Sequence, residues 1–213
     1  KSMYLSQALG QAQEALGRLN RLINYEQLST SHENVSSMSK FDITFSHVSF
    51  TYPDCKEKAI DDISFTILQG QRIALVGASG SGKTTIARLI PRFWDTKEGQ
   101  VLIGGTNVKD ISQETLMKNI SFVFQNPRLF KTIIKTTLLE NIAYGNPYAD
   151  GEAINRAIDM AQCREIVDRL PQGLNTKIGT EGTYLSGGEQ QRIVLARAIL
   201  KNAPIIVLDE ATA

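Results

Sequence analysis

A glycine-rich stretch at residues 77–84 carries the clearest chemical signal in this chain. It reads Gly-Ala-Ser-Gly-Ser-Gly-Lys-Thr and fits the pattern G-x-x-x-x-G-K-[ST] of phosphate-binding loops. Gly77, Gly80 and Gly82 allow backbone turns that other residues disfavour, so successive N–H groups can converge on phosphates. The stretch therefore predicts a nucleoside triphosphate site.

Two side chains at the end of this loop supply the remaining chemistry. Lys83 offers a cation to the β- and γ-phosphates, and the Thr84 hydroxyl is placed to ligate Mg²⁺. The apolar run at residues 73–76 is expected to be the buried strand that enters the loop, and a helix over residues 83–90 adds its positive dipole end. The alternative is a glycine-rich turn, a coincidence expected on the order of once in a hundred such chains.

A second acidic motif follows four aliphatic residues at 205–208. A buried parallel strand that ends in Asp209 and Glu210 puts both carboxylates at the edge of the sheet where the phosphate loop also lies. Asp209 can then hold Mg²⁺, and Glu210 can orient or deprotonate the attacking water. The alternative is a helix cap or a solvated turn. The phosphate loop favours the metal–nucleotide interpretation.

Residues 185–189, Leu-Ser-Gly-Gly-Glu, form a third motif. Ser186 and Glu189 match a capping box that would begin a helix over residues 187–201. Gly187 and Gly188 nevertheless cost about 1 kcal/mol each in helix propensity, which a cap does not require. Close approach of another group to the backbone does require them, so this helix end is interpreted as a second phosphate-facing surface.

Composition narrows the class of protein. The 213 residues contain 23 Lys and Arg against 22 Asp and Glu, a formal charge of +1, which gives no global electrostatic case for nucleic acid or an anionic membrane surface. Cys55 and Cys163 are far apart and predict two reduced thiols. No apolar run approaches the roughly 20 residues of a membrane span, and no secretory signal is present.

The elements that would position these motifs follow from hydrophobic periodicity. An apolar seam with steps of three and four predicts one helix over residues 5–23, followed by a serine-rich, flexible linker. Residues 43–52 and 60–68 alternate as half-buried antiparallel strands do. Strands at 100–103, 120–124 and 205–208 then alternate with helical stretches, including residues 136–170 with Asp150 as a cap, so the core is α/β.

The order and spacing of these motifs resemble the nucleotide-binding domain of ABC transporters. The resemblance rests on the phosphate loop, Gln125, residues 185–191 and residues 209–213, and it covers about residues 41–213. It implies a P-loop NTPase core, a mostly parallel sheet flanked by helices, with an antiparallel β subdomain and a helical subdomain. The helix at 1–27 looks like the cytoplasmic end of the last transmembrane helix of an exporter-type half-transporter, joined by a linker at 28–40.

The resemblance also assigns roles to residues. It implies that Tyr52 stacks on adenine, that Gln125 touches Mg²⁺ and the attacking water, and that the Ser186 end of the helix closes over ATP held by another subunit. The implied catalytic residues are Glu210, Lys83 and Gln125, and the implied metal ligands are Thr84, Gln125 and Asp209. The implied nucleotide-binding residues are Tyr52, Gly77, Ala78, Ser79, Gly80, Ser81, Gly82, Lys83, Thr84, Thr85, Ser186, Gly187 and Gly188.

Three departures from the family pattern stand out. Glu189 replaces the usual glutamine, and the segment 131–137 is about four residues longer than usual. The family's switch histidine is expected beyond residue 213, since His32 and His47 both precede the phosphate loop. The sequence is accordingly interpreted as truncated at both ends, expected to bind ATP and to hydrolyse it weakly or not at all.

The function implied by the resemblance is ATP and Mg²⁺ binding and ATP hydrolysis that powers solute transport. The implied partners are a second ATP-binding domain, in a homo- or heterodimer, and a transmembrane domain of the same polypeptide at the cytoplasmic face of the cell membrane, without nucleic acid. The alternatives are a soluble ABC ATPase of DNA repair or translation, and a nucleotide-gated module without turnover. The transported substrate and its direction stay open.

Overall fold

The computed structural model describes residues 2–23, 35, 37–53, 55–126, 128–130, 136–178 and 184–209. In chain order its helices and strands are α1 Ser2–Ile23, β1 Ile43–Phe50, β2 Ile60–Ile67, α2 Lys83–Leu89, β3 Glu98–Ile103, β4 Thr106–Asn107, α3 Gln113–Asn119, β5 Ile120–Val123, β6 Thr136–Thr137, α4 Leu138–Ala143, α5 Gly151–Met160, α6 Arg164–Arg169, β7 Lys177–Ile178, α7 Gly187–Lys201 and β8 Ile205–Leu208. Contacts divide the chain into two units, Lys1–Thr30 and Ser31–Ala213.

The first unit contains α1, as the apolar seam predicts. Leu16 and Leu19, on that seam, are 58% and 52% exposed. Arg18 and Glu14 form an i,i+4 ion pair at 2.6 Å, which adds a few tenths of a kcal/mol to an isolated helix. None of the helices in the described ranges is long and apolar enough to cross a membrane.

An antiparallel sheet opens the second unit. Its strand order is β2-β1-β3-β4, and every neighbouring pair runs antiparallel. Alternation along β1 buries Ile43 and Phe45, and the Phe45 ring stacks on Phe65 of β2 with centroids 4.6 Å apart. The antiparallel strands predicted from the alternating pattern are confirmed. Val35 of the predicted linker belongs to this unit and forms a parallel bridge to Ile111.

A parallel pair of strands and a helical layer complete the second unit. β5 and β8 pair in parallel, with Ile120 opposite Ile205 and Val123 opposite Leu208. Two buried apolar clusters lie beside them: one joins the antiparallel sheet and α2, and the other joins α4, α5, α6 and α7. Asp150 caps α5 by accepting from Ala153 N at 2.7 Å, as predicted. The α/β fold class is thereby confirmed.

The strand predicted at residues 73–76 is wrong. These residues form no strand, and Ile73, Leu75 and Val76 are 51%, 41% and 92% exposed. An apolar run becomes a buried strand only when neighbouring strands satisfy its backbone groups. Among the described residues, β5 and β8 pair with each other and neither pairs with this run, which is exposed.

Candidate nucleotide site

The phosphate loop is exposed, and two of its glycines are required by its backbone. Gly80 and Gly82 have φ of 81° and 86°, in the left-handed region. A Cβ on Gly82 would also lie 2.6 Å from the carbonyl oxygen of Ala59, so the turn packs closely against the start of β2. Gly77 does not share this conformation; its added Cβ would meet the Ser81 hydroxyl at 2.6 Å. The reason predicted for Gly77 is therefore wrong.

The Lys83 ammonium lies within the loop that precedes it. Its Nζ donates to the carbonyl oxygens of Gly77 at 2.9 Å and Ala78 at 2.7 Å, and to the Ser81 hydroxyl at 3.3 Å. These acceptors are neutral, so the positive charge on Lys83 is not cancelled by them. An anion that enters the loop would meet this charge together with the backbone of residues 78–81, which are exposed.

The end of the loop and the end of β8 meet at Thr84 and Asp209, although 125 residues separate them in sequence. The Thr84 hydroxyl donates to Asp209 Oδ1 at 2.7 Å. Asp209 N donates to the Val123 carbonyl at 2.9 Å, which holds the carboxylate at the edge of the β5–β8 pair. The contact links α2 to the parallel strands as the phosphate-loop interpretation requires.

The second carboxylate oxygen of Asp209, Oδ2, is a candidate metal ligand. The residue is 4% exposed, and within the described residues Oδ2 is buried without a hydrogen-bond partner. A buried carboxylate oxygen without a partner is costly, and a divalent cation would satisfy it. Thr84 and Asp209 offer oxygen ligands, which Mg²⁺ prefers. The residues present therefore fit this ion.

Gln125 follows β5, two residues beyond Val123, and is exposed. It lines a cavity of about 620 Å³ together with aromatic and basic side chains, namely Phe122, Phe124, Phe130, Tyr144, Arg88, Arg128, Arg197 and Lys201. Glu210 lies outside the described residues, so its predicted role stays a prediction.

Tyr52 is tied to the helix that follows the loop. Its hydroxyl and that of Thr85 lie 3.1 Å apart, within hydrogen-bonding distance, and Thr85 is 5% exposed. The ring meets Phe50 and Trp94 edge-on, with centroids 4.9 and 5.5 Å away. These contacts fix the ring beside the loop; stacking of adenine on it stays a prediction.

The third motif begins α7 as the capping box predicts. Ser186 Oγ accepts from Glu189 N at 3.4 Å, and Glu189 Oε2 accepts from Ser186 N at 2.8 Å. A Cβ added to Gly187 or Gly188 would meet nothing within 4 Å. Nothing in the described chain therefore requires glycine at either position, and both face open space.

The structure brings together one part of the predicted site. Thr84, Asp209, Lys83 and the loop are contiguous, and Tyr52 joins them through Thr85. The Ser186 end of α7 makes its hydrogen bonds with Glu189, which in turn pairs with Arg169. The approach of the Ser186 end of α7 to a phosphate stays a prediction.

Two polar groups that the sequence analysis missed anchor the segment after Gln125. Asn141 is 0% exposed, and its Oδ1 accepts from Phe130 N at 2.8 Å and from Arg197 Nη2 at 3.0 Å. Arg197 also donates to the Asn141 carbonyl at 2.7 Å and lies 4.4 Å from the Phe130 ring centroid. Inside helical patterns both residues look like solvated positions, so periodicity offered no signal.

A third group that the sequence analysis missed is Arg169. This residue ends α6 and pairs with Glu189, whose side chain is 12% exposed against 63% for Arg169. The pKa of Glu189 lies below its usual value, first because Ser186 N–H donates to the carboxylate and also because Arg169 pairs with it. Glu189 is therefore held ionised.

A family profile and individual relatives in the comparison with known proteins indicate the same family. The sequence profile described as ABC transporter matches residues 60–213. The ATP-dependent lipid A-core flippase of Haemophilus ducreyi is 41% identical over 213 residues, 98% of this chain and 36% of its own length. That of Aromatoleum aromaticum is 48% identical over 169 residues, 78% of this chain and 27% of its own length.

A solved structure agrees with the sequence relatives. The structure titled "Structure of a bacterial Atm1-family ABC exporter with ATP bound" superposes with a TM-score of 0.82 at 36% identity, covering 95% of this chain and 35% of that one. This chain thus spans about a third of the length of the proteins it matches. Because the family profile covers well over half of the chain and the motifs stand in the geometry described, the chain belongs to the ABC transporter family.

Proposed function

We propose that this chain is the nucleotide-binding part of an exporter-type ABC half-transporter, and that it binds and hydrolyses Mg-ATP to drive transport at the cytoplasmic face of a membrane. The observation that carries the proposal is the Thr84–Asp209 hydrogen bond at 2.7 Å, with Asp209 Oδ2 buried and without a partner in the described chain. It joins the phosphate loop to an acidic strand end at one point.

In this proposal each group has a separate task. The backbone of the loop and the Lys83 ammonium bind the β- and γ-phosphates, and Tyr52 binds the adenine face. Thr84 and Asp209 would hold Mg²⁺, which supplies neutralisation of phosphate charge. Glu210 orients and deprotonates the attacking water, and Gln125 lies at the neighbouring strand end to sense it.

The partner in this proposal is a second ATP-binding domain. The open space around Gly187 and Gly188 supports closure of the Ser186 end of α7 over ATP held by another copy. A membrane domain belongs to the same proposal, supported by the exporter relatives. Because two of these relatives are lipid A-core flippases, a lipid is the first cargo to test.

The first test removes the charge in the loop. Lys83→Ala should weaken Mg-ATP binding by about tenfold to a hundredfold, because a charge-assisted contact contributes about 1.5–3 kcal/mol. Calorimetric titration in the protein at its natural length measures this, with the exposed Lys118 on α3 changed to Ala as the matched control. Equal affinity in Lys83→Ala and Lys118→Ala would overturn the phosphate-loop assignment.

The second test separates binding from turnover. Glu210→Gln should keep ATP affinity and lose hydrolysis, because shape is retained while the basic carboxylate is gone. Phosphate release under saturating Mg-ATP is the measurement. Turnover near the wild-type rate would show that another group activates the water.

A further inference from the structure

The first turn of α7 holds a carboxylate beside the groups that would face a phosphate. Glu189 stands at the third position of the helix, directly after Gly187 and Gly188, and its Oε2 accepts from Ser186 N at 2.8 Å. A glutamine at this position would complete the same capping box without a charge. Glu189 therefore introduces a negative charge that the local fold does not need.

The negative charge of Glu189 would repel a phosphate that approaches the start of α7. A unit charge about 10 Å from a phosphate charge, at an effective dielectric constant of about 20, changes binding by roughly tenfold. Backbone N–H groups at the start of a helix favour an anion, and an uncompensated carboxylate in the same turn reduces that preference. A chain with glutamic acid here requires a compensating cation.

Arg169 supplies the cation from a different element. Its guanidinium pairs with Glu189 Oε1, while the other carboxylate oxygen stays on Ser186 N. Leu170, which follows Arg169, and Leu185 and Ile193, which flank the first turn of α7, are all buried in one apolar cluster. The backbone positions of both partners are therefore held by a shared core, and the pair is prearranged.

We propose that Arg169 is a positioning residue for the phosphate-facing end of α7: by neutralising and holding Glu189, it allows Ser186 and Gly187 to approach the terminal phosphates of ATP bound to a second copy of the chain. The inference rests on the proposed function. It adds to it a residue from α6, 20 positions before Glu189.

Arg169→Gln isolates the charge. Because Arg169 is 63% exposed, loss of the pair should change the unfolding midpoint little, as for other exposed ion pairs. Turnover at low protein concentration and low salt should fall by about tenfold, and the defect should shrink as ionic strength rises, since salt screens the exposed carboxylate. The affinity of the Arg169→Gln protein for ATP at its own phosphate loop should stay at the wild-type value.

Rescue distinguishes neutralisation from a structural role. Glu189→Gln keeps the cap and removes the charge, so the double variant Arg169→Gln/Glu189→Gln should recover turnover to within about threefold of wild type. The matched control is Arg156→Gln on α5, which breaks the exposed Arg156–Glu152 pair at 2.5 Å and should leave turnover unchanged.

Each result decides the matter. Wild-type turnover in Arg169→Gln, or a double variant as slow as the single one, overturns this inference and leaves the proposed function standing. If Lys83→Ala hydrolyses ATP at the wild-type rate, the proposed function is overturned, and this inference with it. Loss of turnover with rescue by Glu189→Gln supports both.

Discussion

Replacing Gly187 with alanine should raise the stability of the protein while lowering its ATP turnover. Gly187 is the first residue of α7 and is exposed, and an added Cβ would meet nothing within 4 Å. Alanine stabilises a helix interior by about 1 kcal/mol relative to glycine, and about half of that stabilisation is expected in the first turn. For a chain of this size, the unfolding midpoint should rise by about 1–2 °C.

The opposite effect on turnover follows from the proposed trans site. If phosphate oxygens of a nucleotide on a second copy approach the backbone at Gly187, a methyl group there displaces them by about 1 Å. A displacement of that size can cost on the order of a hundredfold in rate. Stability and activity should therefore move in opposite directions, which a purely structural glycine would not produce.

Gly151→Ala is the matched control. Gly151 is also the first residue of a capped helix, α5, is exposed, and has nothing within 4 Å of its added Cβ. This variant should gain the same stability and keep wild-type turnover. Thermal unfolding and phosphate release, measured on both variants, give the comparison. Wild-type turnover in Gly187→Ala would refute the close approach of a phosphate to this helix end.

Three further predictions concern the loop, the core and acid stability. Gly82→Ala should weaken ATP binding and lower stability more than Gly80→Ala, because both incur left-handed strain of about 1–2 kcal/mol but only Gly82 would place a Cβ 2.6 Å from a carbonyl oxygen; titration calorimetry and urea unfolding compare them. Asn141→Leu should lower the free energy of unfolding in urea by about 1–3 kcal/mol, because Phe130 N and Arg197 Nη2 lose their side-chain acceptor while Arg197 keeps the carbonyl of residue 141; an unchanged free energy of unfolding contradicts this. Since the pKa of Glu189 is lowered from 4.5, its stabilising contribution is present above that pH and lost as pH falls through the folded-state pKa; acid unfolding of Glu189→Gln should lack that part of the pH dependence.

Features that depend on neighbouring residues in sequence were predicted well. The helix expected at residues 187–201 and the strand expected at 205–208 match α7 and β8, because a capping box, a terminal lysine and an aliphatic run are local signals. The Asp150 cap belongs to the same class. The glycines of the phosphate loop are also local signals, since Gly80 and Gly82 adopt the left-handed φ that glycine permits at no steric cost.

Features that depend on distant partners were not predicted. Hydrophobicity indicates that residues 73–76 tend to be buried, but it contains no information on which strand would pair with them, and the structure leaves them exposed. Asn141 and Arg197 lie 56 residues apart, and Arg169 and Glu189 lie 20 apart. In each pair the sequence shows an ordinary polar residue on a helix, and only the fold shows its partner.

In the proposed reaction the Ser186 end of α7 acts on ATP held by another copy, so hydrolysis depends on encounter between copies. One phosphate-facing surface is anchored by Thr84 and Asp209, and the other by Leu185, which is buried just before α7 begins. Because each chain would carry half of two sites, two chains complete two sites at once, and hydrolysis below the dissociation constant should rise with the square of protein concentration. A rate that rises in simple proportion would mean that one chain completes its own site, and the role assigned to the Ser186 end of α7 would be wrong.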